Sequence, residues 1–482
     1  MTDVETNPRT NPSQPTGNSG GGLPAGSFID DALINAMLEQ GAKASPQTAI
    51  QIIRKALDLK GLAPDEAAIL LQSEGPEFRR ELYRVAGQIK DRIYGNRLVL
   101  FAPLYLSNYC GNNCLYCGFR RDNRLLERRV LDQEEIAEQV RILERMGHKR
   151  LLLECGESPG RSPIDFVVES IHTVYTTKEG NGSIRRVNVN IAATVVADYQ
   201  KLKSAGIGTY QLFQETYHRP TYARMHPDGP KADYEWHLTA MDRAMQAGID
   251  DVGLGVLFGL ADYKYEVLGL LLHAIHLERT YGVGPHTISV PRWRPAVGVD
   301  FALPQPVGDD DFRKLVAVLR LSVPYTGLIL STRERPEMRD ELFGLGISQI
   351  SAASCVSPGG YRVGEKPKDQ FAVADHRSVD EIVADVCRKG YLPSFCTACY
   401  RQGRTGEAFM TLAKPGDIQE LCRPNALLTF KEYLEDYASP SAREVGQETV
   451  RAQLALIENA KVRQETERRL ARIEAGERDL FF

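Results

Sequence analysis

Residues 104–119 read LYLSNYCGNNCLYCGF, and this stretch decides how the rest of the chain is interpreted. Cys110, Cys114 and Cys117 follow the spacing C-x3-C-x2-C directly after an apolar run, which places the three thiols on a loop that leaves a strand. Gly111 and the asparagines after it favour the tight turns that point several side chains at one centre. Three thiolates on one loop can bind three irons of a 4Fe-4S cluster, and the fourth iron stays open to a small molecule.

A zinc site is the main alternative for this loop, and cysteines that fill a reduced core are the second. Zinc sites usually pair two C-x2-C units or add nearby histidines. No histidine lies between Arg79 and Gly147. The spacing therefore favours an iron–sulfur cluster.

Composition restricts the partners and the compartment. The 482-residue chain has a net charge of -4, which predicts no surface for nucleic acid or for an anionic membrane. No apolar run approaches the roughly 18 residues of a membrane-spanning helix, and the N-terminus lacks the pattern of a secretory signal. Six of the nine cysteines form two spaced groups, as expected of metal ligands in a reducing compartment. We therefore expect a cytoplasmic protein.

From residue 97 onward the sequence alternates between strand and helix patterns, which predicts an α/β fold, a complete (βα)8 barrel of the TIM type. Several strands are continuous apolar runs, as expected of parallel strands buried on both faces. The expected strands are 98–106, 149–154, 185–191, 208–213, 252–258, 286–291, 327–331 and 347–352. The expected helices between them are 132–147, 162–176, 195–205, 231–247, 264–281, 308–322 and 335–345.

The chain divides into four predicted segments. Residues 1–26 are mostly Asn, Pro, Gly, Ser and Thr and should be disordered. Residues 27–96 form an N-terminal helical layer, and residues 97–356 form the barrel. Residues 357–482 form a mostly helical C-terminal extension, in which residues 442–478 read as one charged helix.

The loop spacing, with Tyr116 just before its last cysteine, resembles that of the radical S-adenosylmethionine (SAM) superfamily. The resemblance implies that the open iron binds the amino and carboxylate groups of SAM, beside Tyr116. It also implies that SAM cleavage yields a 5′-deoxyadenosyl radical, which the protein keeps away from water. The stretch ECGE, residues 154–157, resembles a Gly-Gly-Glu stretch that contacts the SAM amino group in relatives, so Glu157 is expected there. Cys155 replaces the first glycine of that stretch.

Other candidates follow the strands at the same end of the barrel. Gln214 and Glu215 end strand 4 and are expected to bind the ribose or amino-acid part of SAM, with helix capping as the alternative. Glycines in strand 5 are expected to let an adenine approach the backbone. An arginine pair after strand 6 is expected to clamp a substrate carboxylate, with a surface ion pair as the alternative. The glycines are Gly253 and Gly255, and the arginines are Arg292 and Arg294.

A second cysteine group, Cys396, Cys399 and Cys422, has the spacing C-x2-C-x22-C. It again contains three thiols, and no histidine follows residue 376 to complete a zinc site. The pair of groups resembles the radical SAM tyrosine lyases that mature FeFe-hydrogenase. The resemblance implies that the second group holds an auxiliary 4Fe-4S cluster with an extra, labile iron, at the other end of the barrel cavity.

In that family a histidine binds the labile iron. The candidates are His273, His276 and His286. His276 is preferred to His273, because the C-terminal end of a barrel helix lies far from the mouth.

The resemblance also implies the reaction and the partners. L-tyrosine would be cleaved between Cα and Cβ to p-cresol and dehydroglycine, which would become carbon monoxide and cyanide at the auxiliary cluster. A reductant such as ferredoxin or flavodoxin and other hydrogenase maturation factors would be partners. Three alternatives remain: a 2-iminoacetate synthase of thiamine biosynthesis, which stops at dehydroglycine, a non-catalytic iron–sulfur scaffold, and a zinc-stabilised barrel enzyme.

Overall fold

The computed structural model describes residues 28–362 and 369–482. The predicted disordered segment, residues 1–26, lies outside this part of the chain. Within the described residues, no helix is both long and apolar enough to span a lipid bilayer.

Four helices precede the barrel: α1 (Asp31–Gly41), α2 (Pro46–Lys55), α3 (Pro64–Gln72) and α4 (Pro76–Tyr94). The Ser45 hydroxyl accepts the N–H of Thr48 at 3.1 Å and Pro46 opens α2, a combination that starts a helix where the sequence predicts one. Helix α3 also lies within the predicted helical layer of residues 27–96. Its buried Ala67, Ala68, Leu70 and Leu71 pack into the main core.

Eight parallel strands form a closed barrel, which confirms the predicted fold. The strands are β1 (Arg97–Ser107), β2 (Arg150–Cys155), β3 (Arg186–Asn190), β4 (Tyr210–Gln211), β5 (Val252–Gly255), β6 (Thr287–Ser289), β7 (Gly327–Leu330) and β8 (Gln349–Ser351). Each strand pairs with the next, and β1 pairs with both β2 and β8. The C-terminal strand ends form one end of the barrel, here called the mouth, and the N-terminal strand ends form the far end.

The barrel helices follow the predicted order. They are α5 (Gln133–Arg145), α6 (Ile164–Thr176), α7 (Val196–Ser204), α8 (Arg219–Met225), α9 (Tyr234–Leu238), α10 (Ala240–Gln246), α11 (Tyr263–Tyr281), α12 (Asp309–Ser322) and α13 (Pro336–Phe343). The single helix expected over residues 231–247 is divided at Thr239 into α9 and α10.

The C-terminal region is mostly helical and also adds a strand to the sheet. It contains α14 (Val379–Arg388), β9 (Leu392–Ser394), α15 (Ala398–Arg401), α16 (Gly406–Ala413), α17 (Ile418–Asp436), α18 (Pro440–Ala455) and α19 (Ala460–Glu474). The helix expected over residues 442–478 is two helices, because Asn459 caps a new start at α19. Strand β9 was not expected. It pairs with residues 97–99 of β1, so the chain after it reaches the far end of the barrel.

Candidate active site and auxiliary cysteine site

The first cysteine group lines a cavity of about 200 Å³ at the mouth, here called the mouth cavity. Cys114 is buried, and Cys110 and Cys117 are half-buried. Burial raises the pKa of Cys117 to about 11 and also raises the pKa of Cys114. A free thiolate is unfavourable in this buried wall because nothing balances its negative charge. A bound metal centre supplies that positive charge and binds cysteine sulfur in its deprotonated form. The three thiols therefore fit a cluster bound by this loop.

The end of β2 holds the cysteine loop in place. The Gly111 N–H donates to the Glu157 carbonyl oxygen at 2.7 Å, and the Asn112 side-chain nitrogen donates to the Glu157 carboxylate at 2.6 Å. Gly156 allows this approach, because a Cβ there would collide with the carbonyl oxygen of Tyr109. Glu157 thus lies in the wall of the mouth cavity beside the cysteines.

Tyr116 and Glu215 also lie in this wall. The Tyr116 hydroxyl is 2.9 Å from Nε2 of His226, and the Lys231 ammonium donates to the Glu215 carboxylate at 2.8 Å. Glu215 adopts a left-handed backbone with φ of 67°, a costly conformation that often marks functional positions. A carboxylate and an ammonium in one wall suit a ligand that carries charges of both signs.

Three expected cofactor contacts lie elsewhere. Gln214 is buried and lines a separate small cavity behind the barrel wall. A Cβ at Gly253 would lie 2.5 Å from Oγ1 of Thr287, and one at Gly255 would collide with the ring of Phe213. These two glycines make room for packed side chains, so their positions do not bring a ligand's adenine to the backbone.

The predicted arginine fork is an internal ion-pair network. The Glu334 carboxylate is fully buried and accepts hydrogen bonds from Nε of Arg292 and from Nη2 of Arg294. Each of these nitrogens lies 2.9 Å from a carboxylate oxygen. Arg292 also donates to Asp309 at 2.9 Å. Neither arginine lines the mouth cavity, so neither is placed to clamp a substrate there. The ion-pair alternative was the better interpretation, although the pair is buried and not on the surface.

Arg333, which the sequence analysis missed, lines the mouth cavity after β7. Its guanidinium carbon lies 3.3 Å from the centre of the Phe371 ring. Among the residues that the structure describes, no carboxylate lies within 4.0 Å of this guanidinium. The sequence could have indicated Arg333, because it lies two residues after the apolar run 327–331. Active-site residues of such barrels lie at the C-terminal ends of the strands.

The second cysteine group lies at the far end of the barrel. Cys396, Cys399 and Cys422 line a cavity of about 50 Å³, here called the far chamber, together with His286 and Tyr400. The Tyr400 hydroxyl is 2.8 Å from Nε2 of His286. Strand β9 brings Cys396 here, and the long helix α17 carries Cys422.

The expectation for His276 is corrected by its position. Its Nε2 lies 2.7 Å from an Asp242 carboxylate oxygen, and its ring stacks on Phe28 at 3.9 Å between centres. It therefore faces the helical layer outside the barrel. The direction of a helix fixes how far along it His276 lies but not which way the side chain faces, and here the side chain faces Asp242 and Phe28. His286, immediately before β6, is the histidine beside the second cysteine group.

Neither cysteine group is arranged around a single ion. Within residues 28–362 and 369–482, no three His, Cys, Asp or Glu side chains converge closely enough to bind one metal ion. Each group instead surrounds a cavity. Positive charge lies beside the second group: burial alone would lower the pKa of Arg97, but the three thiols raise it above its ordinary value. That environment favours a thiolate-bound, anionic cluster.

Comparisons with known proteins agree with this geometry. Residues 104–270 match the profile of the radical SAM superfamily, and residues 289–392 match that of the Biotin and Thiamin Synthesis associated domain. The barrel, its cysteine loop and these matches define a radical SAM enzyme, which implies SAM and a 4Fe-4S cluster at the mouth.

Two solved structures are similar over nearly the whole chain. A crystal structure of HydG, a maturase of the [FeFe]-hydrogenase, is 59% identical, with 95% of this chain and 100% of that chain covered and a TM-score of 0.92. HydG from Carboxydothermus hydrogenoformans is 42% identical, with 93% and 100% covered and a TM-score of 0.82. The 2-iminoacetate synthase of Escherichia coli K12 is 34% identical over 71% of this chain and 89% of its own length. The chain belongs to the HydG family of radical SAM enzymes.

Proposed function

We propose that this protein is a radical SAM tyrosine lyase that acts in the maturation of FeFe-hydrogenase. It would cleave L-tyrosine between Cα and Cβ to p-cresol and dehydroglycine, and convert dehydroglycine to carbon monoxide, cyanide and water. The observation that carries the proposal is the presence of two three-cysteine cavities at opposite ends of one barrel. A lyase that stopped at dehydroglycine would need the mouth cavity alone.

At the mouth, Cys110, Cys114 and Cys117 would hold the 4Fe-4S cluster that binds SAM. When bound, this pair supplies a 5′-deoxyadenosyl radical. Glu157 and Glu215 offer carboxylates to a cationic amino group, and Lys231 holds the Glu215 carboxylate in place. The closed wall limits the access of water to reactive species.

The tyrosine carboxylate is assigned to Arg333. Its guanidinium lines the mouth cavity, has no ion-pair partner among the described residues, and is held in orientation by the ring of Phe371. Arginine presents two parallel N–H donors to a carboxylate, which fixes the substrate's orientation as well as its affinity. This assignment replaces the one made for Arg292 and Arg294.

At the far end, Cys396, Cys399 and Cys422 would hold the auxiliary 4Fe-4S cluster. The labile iron is cargo, and His286 is the imidazole that lines the same chamber. Tyr400 fixes the ring of His286 through one nitrogen, and Nδ1 has no hydrogen-bond partner among the described residues. Neutral imidazole is the form that binds metal, and burial favours it by lowering the pKa of His286 to about 4.

The first test is anaerobic turnover of the iron-reconstituted protein with dithionite, SAM and tyrosine. p-Cresol and cyanide would be measured in the same reaction, with carbon monoxide trapped by deoxyhaemoglobin. All three products are expected. p-Cresol without cyanide or carbon monoxide would instead support a 2-iminoacetate synthase. Absence of both p-cresol and 5′-deoxyadenosine would contradict any lyase and support a cluster scaffold or a zinc-stabilised barrel.

A further inference from the structure

Three consecutive barrel strands begin with an arginine at the far end: Arg97 in β1, Arg150 in β2 and Arg186 in β3. Arg150 and Arg186 are 7% and 1% exposed, and Arg97 is half-buried with its Nε fully covered. In the described part of the chain, none of the three forms an ion pair within 4.0 Å. Buried arginines normally have a carboxylate partner, so Arg150 and Arg186 without one need an explanation, as does the covered Nε of Arg97.

Uncharged acceptors hold the side chains of Arg150 and Arg186 in place, but they do not balance the positive charge. Arg150 donates through Nη2 to the Cys396 carbonyl oxygen at 2.7 Å, and Arg186 donates to Oδ1 of Asn188 and Oγ1 of Thr209, each at 2.8 Å. One N–H of each guanidinium still has no acceptor among the described residues: Nε of Arg97, Nε of Arg150 and Nη1 of Arg186. A buried N–H group without an acceptor destabilises the folded protein unless a bound ligand supplies the acceptor.

The three arginines differ in their distance from the cysteines. Arg97 and Arg150 line the far chamber itself, while Arg186 lies behind it against the ring of Tyr400. The carboxylate of Asp251 is also near, but it lies 3.5 Å from Nδ1 of His286 and accepts the N–H of Gly406 at 3.1 Å. Thiolates at the cysteine group offset part of the positive charge, and the three N–H groups without an acceptor can donate to a further anion.

We propose that Arg97 and Arg150, supported by Arg186, form an anion-binding site in the far chamber that holds the carboxylate of a small α-imino acid. This inference rests on the proposed function for the identity of that acid, which would be dehydroglycine. The guanidinium fork matches a carboxylate. The site would retain the product of the mouth cavity beside the second cysteine group.

The alternative fate of that product makes the inference testable. Dehydroglycine that is not retained reacts with water: its C=N bond is replaced by C=O, giving glyoxylate and ammonia. Arg150→Gln should leave p-cresol formation intact and raise the ratio of glyoxylate to cyanide about tenfold, and Arg150→Lys should restore much of the cyanide. Arg185→Gln is the matched control, because Arg185 carries the same charge but pairs with Glu432 outside the chamber. An unchanged glyoxylate-to-cyanide ratio in Arg150→Gln would overturn the proposal.

A binding measurement decides the matter independently of turnover. Crystals of the full-length, cluster-reconstituted protein would be soaked in bromide, and anomalous scattering would be collected at the bromine absorption edge. A bromide ion is expected within hydrogen-bond distance of Arg97 or Arg150, and it should be absent from Arg150→Gln. If no bromide ion were found in the far chamber of the wild-type protein, the proposed anion-binding site would be wrong. If the wild-type protein made no p-cresol, the proposed function would fail, while the bromide result would still decide the anion site.

Discussion

The two ends of the barrel solve different binding problems with the same kind of cysteine group. The mouth cavity, about four times the volume of the far chamber at about 200 Å³ against 50 Å³, carries both signs of charge in its wall. Glu157 and Glu215 lie there with Lys231 and Arg333. Such a wall fits SAM and an amino acid, which each carry an ammonium and a carboxylate.

The far chamber carries mainly positive charge. Arg97 and Arg150 line it, while the nearby carboxylate of Asp251 lies outside the lining and accepts the N–H of Gly406. The difference teaches that a cysteine triplet alone does not define a site's chemistry, because the surrounding charges select what else can bind. At the mouth they select large zwitterions, and at the far end they select thiolates and a small anion.

The largest effect is expected from the mouth cysteines. Cys114→Ser should remove the cluster there and lower p-cresol and cyanide formation together by more than about a hundredfold, since replacing residues that only hydrogen-bond to a metal ligand already costs about 10- to 100-fold. Anaerobic turnover and iron analysis would measure this. Cys387→Ser, which removes a buried thiol outside both sites, should keep the wild-type rates. Substantial p-cresol from Cys114→Ser would refute the assignment of the mouth cavity.

The second effect separates the two ends. Replacing Cys396 and Cys399 together by serine should lower carbon monoxide and cyanide by about tenfold or more, while p-cresol stays within about twofold of the wild type. The reason is that the far chamber does not share its lining with the mouth cavity. Loss of p-cresol in this variant would show that the two ends are not chemically independent.

Much of this comparison could be predicted from the sequence. Apolar runs such as residues 151–153 must be buried, and a short buried run indicates a parallel strand. All eight strands were therefore located to within a few residues. The two cysteine groups could be recognised from the sequence because the spacing of cysteines indicates which of them can bind one cluster. The far-end position of the second group was expected only from the family resemblance, and the structural reason is β9, whose three residues, including Pro393, carry little strand signal.

Side-chain direction was the part that the sequence could not supply. Arg292 and Arg333 both follow a barrel strand, but Arg292 meets the buried Glu334 and only Arg333 reaches the mouth cavity. His276 and His286 both lie towards the far end, but one is on a helix face and the other precedes a strand. Contacts between segments that are distant in the chain decide such directions, and periodicity carries no information about them.

The third prediction tests the charge at the mouth. Arg333→Gln should raise the KM for tyrosine about tenfold or more, because the substrate carboxylate loses a charged, bidentate partner. The kcat should change less, since the cysteine loop is untouched. Steady-state p-cresol formation at varied tyrosine would measure both constants. Arg335→Gln is the control, because Arg335 is exposed and pairs with Asp309 away from the cavity. An unchanged KM in Arg333→Gln would assign the carboxylate to another residue.

The fourth prediction separates two histidines at the far end. His286→Ala should lower the iron content by about one atom per chain, because the imidazole beside the second cysteine group would be the ligand of the labile iron. His276→Ala should keep that iron, since His276 contacts Asp242 and Phe28. Iron and protein would be quantified after anaerobic reconstitution and desalting. Iron loss from His276→Ala alone would restore the original assignment.

The smallest effect concerns a carboxyl in the mouth wall. Burial raises the pKa of Glu154 to about 7, while the nearby Arg333 acts in the opposite direction. Between its ordinary pKa of 4.5 and about 7, the unfolded chain therefore loses this proton while the folded protein keeps it. This carboxyl should therefore lower the free energy of unfolding of the cluster-free protein as the pH rises through that window, by at most about 3 kcal/mol.

Glu154→Gln removes this proton and should make the decline in the free energy of unfolding smaller, which urea unfolding at pH 5, 6 and 7 would measure. Glu134→Gln, in an exposed carboxyl of α5, should leave the decline unchanged. The far chamber should act in the opposite direction below pH 6.5, because the unfolded chain protonates His286 there while the folded protein keeps it neutral down to about pH 4. A decline of unchanged size in Glu154→Gln would assign it to other buried carboxyls, such as Glu144 and Glu266, whose pKa values burial raises to about 7 and about 8. The mouth wall would then differ from the far chamber in the ligands it binds and not in its protonation.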